Sequence, residues 1–436
     1  MFGTSGIRGA VGDEVTADLA LSVGRALGAD TDRVVVGRDA RESGLTLLDA
    51  LTAGLRETGT DVVDLGLAAT PTVARGVGWR DADAGVVVTA SHNPAPDNGI
   101  KLWQPSGQAF DSALQDEIAE RVHADDPGLV PWDELGERVR RDGRERHVEA
   151  LAEAVDLAEP LSVVVDVGNG AGGVTVDALE RVGCAVETLN AQPDGAFPGR
   201  PSEPTAENCA SLSALVSGTD ADVGIAHDGD ADRMRAATAE GDFLSGDVTL
   251  ALLARAAASE GDEVAAPVDT SLAVDDHLAE VGVSVTRTRV GDVYVAERAS
   301  EPGVAFGGEP SGAWIWPSET LCPDGPLAAC KLVALASERP LAERAAEMET
   351  YPIRRDSVET AEKRAVMDRV TERVTDEYDD VSTLDGVRVD LGDAWFLLRA
   401  SGTESIVRIT AEARDADRAD AVFAEARTLL TDAVEE

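Results

Sequence analysis

The 436-residue chain is strongly acidic: 82 Asp and Glu residues stand against 38 Lys and Arg, giving a formal net charge of −44. That charge disfavours nucleic acid and anionic membranes as partners. At roughly 150 residues per domain the length predicts three or four compact domains, and a hydrophobic content of 43% excludes a largely disordered chain.

Lysine is nearly absent: the 38 basic residues include only Lys101, Lys331 and Lys363. Excess carboxylate with little lysine resembles the proteins of organisms that hold molar salt in the cytosol. At about 1 M salt the Debye length is only about 3 Å, so surface carboxylates repel one another little. We therefore expect a halophilic protein whose fold needs high KCl; an acidic protein that is merely soluble is the alternative.

The cysteine pattern and the targeting signals indicate in which cellular compartment the protein is expected. The four cysteines show neither a CxxC pair nor dense spacing, and neither a signal peptide nor a membrane-spanning segment is apparent. We expect a reduced, cytoplasmic protein.

Short apolar, β-branched runs recur along the chain, and each ends in a loop of Gly, Ser, Asp or Asn. Such runs begin at Val34, Gly85, Ser162, Ala221, Val264 and Val304. Ala- and Leu-rich stretches of helical period separate them, which predicts α/β layers with sheets covered by helices. Ligands bind beyond the carboxyl ends of strands in such sheets, so these loops are the candidate sites.

Three breaks divide this pattern. A polar stretch at residues 125–149 predicts a boundary near residue 150, a second falls near Asp247, and a third lies near Pro352. Beyond Pro352 the pattern becomes α+β. We therefore expect four domains, at residues 1–150, 151–247, 248–350 and 351–436.

The stretch "TASHNP" presents Ser91 in a turn after an apolar run. It lacks the G-x-S-x-G turn of α/β hydrolases, which makes acyl transfer a weak reading. A phosphorylated Ser91 would carry a charge of about −1.5 to −2 and could ligate a cation. The sparse lysine Lys101 follows ten residues later.

A glycine-rich turn after the next run offers a different enzyme class. Gly168, Gly170 and Gly173 satisfy G-x-G-x-x-G, and Glu187 has the spacing of a ribose-binding acid. This would indicate an NAD-dependent dehydrogenase. The structural alternative is that the glycines allow tight packing of strand against helix.

The stretch "HDGDADR" places Asp228, Asp230 and Asp232 at alternate positions after an apolar strand. Three carboxylates held together favour a hard divalent cation, with Mg²⁺ preferred if phosphate adds further oxygens. The EF-hand pattern is excluded, because Arg233 stands where that loop requires glycine. A solvated acidic loop is the alternative.

Two later loops and two early turns offer ligand-binding groups. "GGEPSG" places Glu309 and Ser311 where they suit sugar hydroxyls, although the motif alone is weak. "RASGTESIVR" combines hydroxyls, backbone amides and guanidinium groups that can bind a phosphate dianion; the residues concerned are Arg399, Ser401, Gly402, Thr403 and Arg408. The early Gly-rich turns add Arg8, Arg38 and Arg41, which could equally be structural.

The chain resembles the α-D-phosphohexomutase family from Gly3 to about Glu412. The resemblance lies in the order and spacing of four motifs: the serine turn, the Asp trio, the sugar-type loop and the phosphate loop. The resemblance implies an α/β protein: three α/β domains with mixed sheets covered by helices, and a C-terminal α+β domain, around a central cleft. The four expected units become, in order, the phosphoserine, metal-binding, sugar-binding and phosphate-binding domains.

The resemblance also implies a role for each motif. Ser91 is the phosphoserine that donates and recovers the phosphoryl group, and with Asp228, Asp230 and Asp232 it ligates Mg²⁺. The basic groups beside the phosphoserine are Arg8, His92 and Lys101. Arg233 lies next to the metal loop, the loop that carries the three aspartates. Glu309 and Ser311 hold sugar hydroxyls, while Arg399, Ser401, Gly402, Thr403 and Arg408 bind the non-reacting phosphate.

The implied reaction interconverts a hexose 6-phosphate and a hexose 1-phosphate through a bound hexose 1,6-bisphosphate. "TASHNP" and "DNGIK" favour the phosphoglucosamine mutase branch, with phosphomannomutase/phosphoglucomutase as the alternative and a pentose phosphate also open. Ala313 stands where many bacterial members have histidine, which leaves the sugar undecided. We expect a monomer or homodimer acting on a small-molecule sugar phosphate; a non-catalytic sensor of sugar phosphates is a remote alternative.

Overall fold

Four sheets follow one another along the chain in the computed structural model, which describes residues 2–3, 6–124, 126, 128–401 and 405–435. Three are mixed sheets flanked by helices, and the last is wholly antiparallel. The predicted fold class is confirmed. None of the described helices is long and apolar enough to cross a membrane.

The first sheet has six strands in the order β1-β5-β4-β2-β3-β6. Its elements are β1 (Ile7–Ala10), α1 (Ala17–Gly28), β2 (Arg33–Arg38), α2 (Gly44–Glu57), β3 (Asp61–Leu67), α3 (Thr70–Trp79), β4 (Ala84–Val88), β5 (Asp97–Trp103), α4 (Ser112–Ala124) and β6 (Arg138–Arg140). Strands β4, β2, β3 and β6 run parallel, while β5 pairs antiparallel with β4 and β1.

The middle residues of the central strands β2 and β4 are apolar and buried, because helices cover both faces of the sheet. Successive residues of β2 enter different cores: Val34 packs with Leu51 on one face and Val35 packs with Trp103 on the other. This alternation is the period-two geometry of a strand. Strand β4 pairs parallel with β2, and its carboxyl end leads into the Ser91 turn.

The second sheet has four strands in the order β10-β9-β7-β8, with β10 alone antiparallel. Its elements are α5 (Arg144–Glu153), β7 (Ser162–Asp166), α6 (Gly173–Arg181), β8 (Ala185–Leu189), α7 (Ala210–Ser217), β9 (Val223–His227) and β10 (Met234–Thr238). Because β9 ends at His227, the Asp trio begins at the next residue.

The third sheet has the order β12-β11-β13-β14, with only the short β14 antiparallel. Its elements are α8 (Gly246–Ala257), β11 (Glu263–Pro267), α9 (Leu272–Ala279), β12 (Ser284–Thr288), α10 (Asp292–Ala299), β13 (Val304–Gly308), β14 (Trp314–Ile315), α11 (Gly325–Glu338) and α12 (Leu341–Ala346). Glu309 directly follows β13.

The last sheet has five antiparallel strands in the order β15-β19-β18-β17-β16. Its elements are β15 (Ile353–Glu359), α13 (Lys363–Glu377), β16 (Val381–Ser382), β17 (Val387–Asp390), β18 (Ala394–Ala400), β19 (Ile406–Ala413) and α14 (Ala416–Glu435). The two helices cover one face with a core that includes Val370, Phe396 and Leu430.

A buried polar network joins the first three sheets. Asp324, which caps α11 through the Leu327 N–H, accepts a hydrogen bond from Arg75 of α3 (2.7 Å) and pairs with His147 of α5 (3.3 Å). Thr72 contacts the other ring nitrogen of His147 at 2.8 Å. Burial raises the pKa of Asp324, but Arg75 and His147 outweigh it and hold that pKa below its usual range.

A buried carboxylate attaches the last sheet to the third. Glu412 of β19 accepts hydrogen bonds from the Leu272 N–H (2.8 Å), the Trp395 indole (2.6 Å) and the Ser271 hydroxyl, at the start of α9. Trp395 also packs against Val268. Three donors satisfy this fully buried charge, as its burial requires.

Candidate active site

Ser91 lies in a strained turn three residues beyond β4. Its φ of 53° is in the left-handed region, which non-glycine residues rarely adopt, and the residue is 1% exposed. The Ser91 N–H donates to the Thr89 hydroxyl at 2.8 Å. The turn therefore needs support from its surroundings.

Arg41 supplies that support from below the turn. Its fully buried guanidinium pairs with Asp39 at 3.0 Å and binds four backbone carbonyls. They belong to Ser91 (2.9 Å), Asn93 (2.6 Å), Pro94 (2.6 Å) and Asp97 (2.9 Å). Of the two arginines predicted for this early turn, Arg41 holds the serine turn, whereas Arg38 is the last residue of β2 and its guanidinium donates to the Asp39 carbonyl at 2.8 Å.

Asp228, Asp230 and Asp232 form a buried cluster whose ligand oxygens all lie within 4.8 Å of one another. Ala231 takes a φ of 56°, which turns the short loop back on itself. One oxygen each of Asp230 and Asp232 is buried and accepts no hydrogen bond from the described residues. An all-oxygen donor set with two such oxygens fits a hard divalent cation.

The pKa shifts of the three aspartates also favour a bound cation. Burial and the charges of Asp232 and Asp230 raise the pKa of Asp228 well above its usual range. Burial and Asp230 likewise raise the pKa of Asp232. For Asp230, burial is outweighed by Lys101 and by the Thr70 hydroxyl, which lower its pKa. Three ionised carboxylates at this spacing need added positive charge.

The serine and the trio converge, as the sequence predicts. The Ser91 hydroxyl donates to Asp228 Oδ2 at 2.6 Å. Lys101, on β5, reaches across to Asp230 at 3.0 Å and also contacts Asp232. Burial lowers the pKa of Lys101, but the two carboxylates raise it more, so its ammonium stays protonated.

The remaining basic groups differ in charge. His92 lies 3.5 Å from the Ser91 hydroxyl, and burial together with Arg233, Arg8 and Lys101 lowers its pKa to about 2. The imidazole is therefore neutral in this setting. The Arg8 Nε is buried without a partner among the described residues, while Arg233 donates its backbone N–H to Asp228 at 3.2 Å.

Sequence reasoning missed two residues that join the loops. Thr70, the first residue of α3, donates its hydroxyl to Asp230 Oδ2 at 2.6 Å and its N–H to the Asp230 carbonyl at 2.9 Å. Ser202 donates to the Ser91 carbonyl at 2.9 Å and accepts the Gly229 N–H at 3.0 Å. No local pattern marks either residue, since their partners lie far away in the chain.

The sugar-type loop rests against the metal loop, because the Met234 N–H donates to the Gly312 carbonyl at 2.9 Å. Glu309 is buried and accepts the Gly291 N–H at 2.7 Å, while the Ser311 hydroxyl lies 3.4 Å from its second oxygen. Burial and the nearby Asp292 raise the pKa of Glu309 to about 7.

The phosphate-type loop lies at the end of β18. Arg399 and Arg408 are directly opposite each other on β18 and β19, and like charges at such positions repel unless neighbouring anionic groups compensate them. Ser401 is buried, and its carbonyl accepts from Lys363 at 2.6 Å. Gly402 and Thr403, also predicted for this site, lie outside the described residues.

A short chain of contacts connects this loop to the sugar-type loop. Arg399 pairs with Asp385 at 3.3 Å, and Asp385 accepts the Val290 N–H at 3.0 Å. Val290 precedes Gly291, which donates to Glu309. The predicted sugar and phosphate groups therefore approach each other through residues 290–291.

The glycine-rich turn has a packing role. A Cβ at Gly170 would lie 2.5 Å from the Gly229 carbonyl oxygen, and the Ala171 N–H donates to that same carbonyl at 2.9 Å. A Cβ at Gly168 would lie 2.7 Å from an Arg200 nitrogen. The glycines of this turn thus allow close packing against the metal loop, as the structural alternative expected.

Comparison with known proteins gives a consistent result along the whole chain. Models of the phosphoglucomutase/phosphomannomutase family match in series: alpha/beta/alpha domain I at residues 1–128, domain II at 145–241, domain III at 245–351 and the C-terminal domain at 354–429. A probable phosphoglucosamine mutase from Methanopyrus kandleri is 47% identical over 429 residues, covering 96% of this chain and 95% of that protein.

Solved structures agree with the sequence relatives. A phosphoglucomutase/phosphomannomutase family protein from Burkholderia thailandensis has a TM-score of 0.90 at 27% identity, covering 99% of this chain and 98% of that chain. An Aspergillus fumigatus N-acetylphosphoglucosamine mutase, solved with GlcNAc-6P and magnesium, shares the fold with a TM-score of 0.65 at 15% identity, covering 99% and 96%. The chain belongs to the phosphoglucomutase/phosphomannomutase family of α-D-phosphohexomutases, and it is an isomerase of the intramolecular phosphotransferase type.

Proposed function

We propose that this phosphohexomutase interconverts glucosamine 6-phosphate and glucosamine 1-phosphate. The observation that carries the chemistry is the 2.6 Å contact between the Ser91 hydroxyl and Asp228 of the buried carboxylate trio. The choice of sugar is supported by the relatives named probable phosphoglucosamine mutase, such as that of Methanopyrus kandleri. "TASHNP" and "DNGIK" favour the same branch.

In this proposal Ser91 carries the phosphoryl group and transfers it to a sugar hydroxyl. The bond from phosphorus to Ser91 Oγ breaks and a bond from phosphorus to the sugar oxygen forms; overall, the proton lost by the sugar hydroxyl is balanced by protonation of Ser91 Oγ, which leaves as a hydroxyl. Arg41 fixes the turn through the Ser91 carbonyl, 2.9 Å from its guanidinium. Such fixing suits phosphoryl transfer, which depends mainly on positioning and charge stabilisation.

Asp228, Asp230 and Asp232 would hold Mg²⁺, with an oxygen of the phosphoserine as a further ligand. The bound ion supplies positive charge that stabilises the oxygens of the transferred phosphoryl group. Lys101 and Arg8 add fixed positive charge on the side of the first sheet. Because its ammonium is protonated, Lys101 can also donate a proton, which arginine cannot do.

The remaining loops bind the part of the substrate that does not react. Glu309 and Ser311 form hydrogen bonds with sugar hydroxyls. The distal phosphate is bound by Arg399, Ser401, Gly402, Thr403 and Arg408. After the first transfer the bound hexose 1,6-bisphosphate reverses its orientation, and its other phosphate returns to Ser91. A fixed phosphate site opposite the serine retains the intermediate during this reversal.

A substrate panel tests the proposal. Purified protein in high KCl with Mg²⁺ and catalytic glucose 1,6-bisphosphate is given the 1-phosphates of glucosamine, mannose, glucose and ribose, beside Ser91→Ala. We expect the highest kcat/KM with glucosamine 1-phosphate and no turnover by the variant. A higher value with mannose or glucose 1-phosphate would assign the other branch, and full turnover by Ser91→Ala would refute the chemistry.

A further inference from the structure

One loop of the second domain crosses to the underside of the serine turn. We call residues 190–205, between β8 and α7, the crossing loop. A Cβ at Gly195 would lie 2.5 Å from the Arg41 Cα, and the Phe197 ring lies 5.0 Å beneath the Arg41 guanidinium. The crossing loop therefore contacts the same arginine that supports the Ser91 turn.

A buried ion pair and several hydrogen bonds fix the crossing loop to its own domain. Arg200 donates to Asp166 Oδ2 at 2.6 Å and to the His227 carbonyl at 2.6 Å, immediately before the metal loop. A further contact joins Arg200 to the Ser202 carbonyl at 3.3 Å. These contacts hold Ser202 at a fixed position relative to the Asp trio.

The Ser202 hydroxyl occupies the gap between the two reactive loops. It is buried, donates to the Ser91 carbonyl at 2.9 Å and accepts the Gly229 N–H at 3.0 Å. A single side-chain oxygen thus connects the backbone of the nucleophile to the backbone of the metal loop, in another domain.

This connection differs from the contact between Ser91 and Asp228. The latter uses the hydroxyl hydrogen of Ser91, which is lost when that oxygen carries a phosphoryl group. The Ser202 bridge uses only backbone atoms of Ser91 and Gly229, so it persists in both states of the serine. Small displacements at a reacting centre are costly, since about 1 Å can lower a rate about 100-fold.

We propose that Ser202 is a positioning residue that holds the Ser91 turn and the metal loop in register whether or not Ser91 is phosphorylated. The inference rests on the proposed function, because it takes Ser91 as the phosphoryl carrier. Ser202 itself touches neither the substrate nor the transferred group in this proposal. Its effect passes through the backbone of Ser91 and Gly229.

Ser202→Ala removes the bridge, and Ser337→Ala provides a matched control. Ser337 is also a buried hydroxyl between two domains: it accepts the Ala158 N–H at 2.9 Å and donates to the Ala334 carbonyl at 2.7 Å, outside the candidate site. Both substitutions remove a buried hydroxyl, so both should lower the melting temperature to a similar degree. A third variant, Ser202→Cys, keeps the shape of the side chain and replaces the hydroxyl with a slightly larger, weaker hydrogen-bonding group.

Two rates are measured in high KCl with Mg²⁺: steady-state turnover, and single-turnover phosphorylation of Ser91 by glucose 1,6-bisphosphate. We expect Ser202→Ala to lower both by about 10- to 100-fold, with KM for the hexose phosphate within about twofold of the wild type because substrate contacts remain. Ser202→Cys should lie in between. Ser337→Ala should match the wild type in both rates.

Hydrogen–deuterium exchange gives a readout independent of activity. We expect faster exchange in peptides covering Gly229 and the Ser91 turn in Ser202→Ala, and unchanged exchange there in Ser337→Ala. Wild-type rates and exchange in Ser202→Ala would overturn the inference while leaving the proposed function intact. A wild-type protein that neither turns over hexose phosphates nor becomes phosphorylated at Ser91 would instead refute the proposed function.

Discussion

The Ser91 hydroxyl donates to Asp228 at 2.6 Å although 137 positions separate the two residues in the chain. Each follows a strand of a different sheet, β4 for Ser91 and β9 for Asp228. The contact therefore depends on how the first two domains dock. Variants that disturb the docking should lower activity without altering any residue that touches substrate.

Removing the nucleophile tests the centre of the site. Ser91→Ala should reduce turnover by about 10⁴-fold or more, the scale seen when an enzyme loses its nucleophile. The protein should remain folded, because the Arg41 contacts go to backbone carbonyls that alanine keeps. Activity is followed by coupled assay, and the phosphorylation state by intact mass. A phosphorylated but inactive Ser91→Ala protein would place the modification elsewhere.

Metal binding should stabilise the folded protein through the Asp trio. Mg²⁺ at about 100 times its dissociation constant is expected to add about 2.7 kcal/mol to the free energy of unfolding. Chelation should abolish turnover, and added Mg²⁺ should restore it. Asp228→Asn should gain little stability from Mg²⁺, because it lacks a ligand oxygen of the trio, and should be at least as stable as the wild type without metal, because burial and the neighbouring carboxylates disfavour a charge at this position.

The exposed Asp220 provides the control for this experiment. Asp220→Asn should keep the full stabilisation by Mg²⁺, measured by thermal unfolding in high KCl. Equal stabilisation of all three proteins by Mg²⁺ would place the cation outside the trio.

Glu309 should make stability depend on pH. Its pKa is raised from an ordinary 4.5 to about 7, first by burial, so the folded state holds the proton more tightly than the unfolded chain. Stability contributed by this group is present below about pH 4.5 and is lost as pH rises to about 7, by on the order of 3 kcal/mol. Glu309→Gln should remove that loss.

Urea unfolding at pH 5 and pH 8 in high KCl measures the effect. The gain from Glu309→Gln should be larger at pH 8 than at pH 5, while Glu240→Gln at an exposed turn should show the same small change at both. An equal effect of Glu309→Gln at both pH values would contradict a protonated Glu309.

The opposed arginines of the last domain should act in binding rather than in chemistry. Arg408→Ala is expected to raise KM for the hexose phosphate by about 10- to 100-fold, the value of a charge-assisted phosphate contact. Arg427→Ala, on the exposed face of α14, serves as the control. A lower kcat at unchanged KM for Arg408→Ala would argue against a distal phosphate site.

High salt should be a condition of folding. At about 0.01 M salt the Debye length is about 30 Å, so the −44 charge repels across the surface, whereas about 1 M salt reduces that length to about 3 Å. The melting temperature should rise steeply between dilute buffer and 2 M KCl. Sucrose should not replace KCl, because it does not screen charge. An unchanged melting temperature in dilute buffer would refute halophilic behaviour.

The parts of the site that the sequence predicts share one property. Ser91, Asp228, Glu309 and Ser401 each stand just beyond an apolar run, and such runs indicate strands. A strand end can be read locally, and its place at the ligand-binding edge follows from the topology of α/β sheets. The fold class is predictable for the same reason.

Other features depend on contacts that leave no local signal. Thr70 and Ser202 have ordinary sequence surroundings, and their roles exist only once two domains dock. Arg41 could be placed on a turn but not assigned its four carbonyls. Strand β6 is three residues long and polar, so no periodicity reveals that it extends the first sheet.

The network of Thr72, Arg75, His147 and Asp324 has an evolutionary consequence. The elements grouped with each of the first three sheets contribute at least one member, and every member is buried. A change to any one of them leaves a partner in another domain without its hydrogen bond, so substitutions should be tolerated only in combination. Aligned homologues should therefore show these four positions covarying across domain borders, and chimaeras that exchange a single domain between distant relatives should fail most often at this junction.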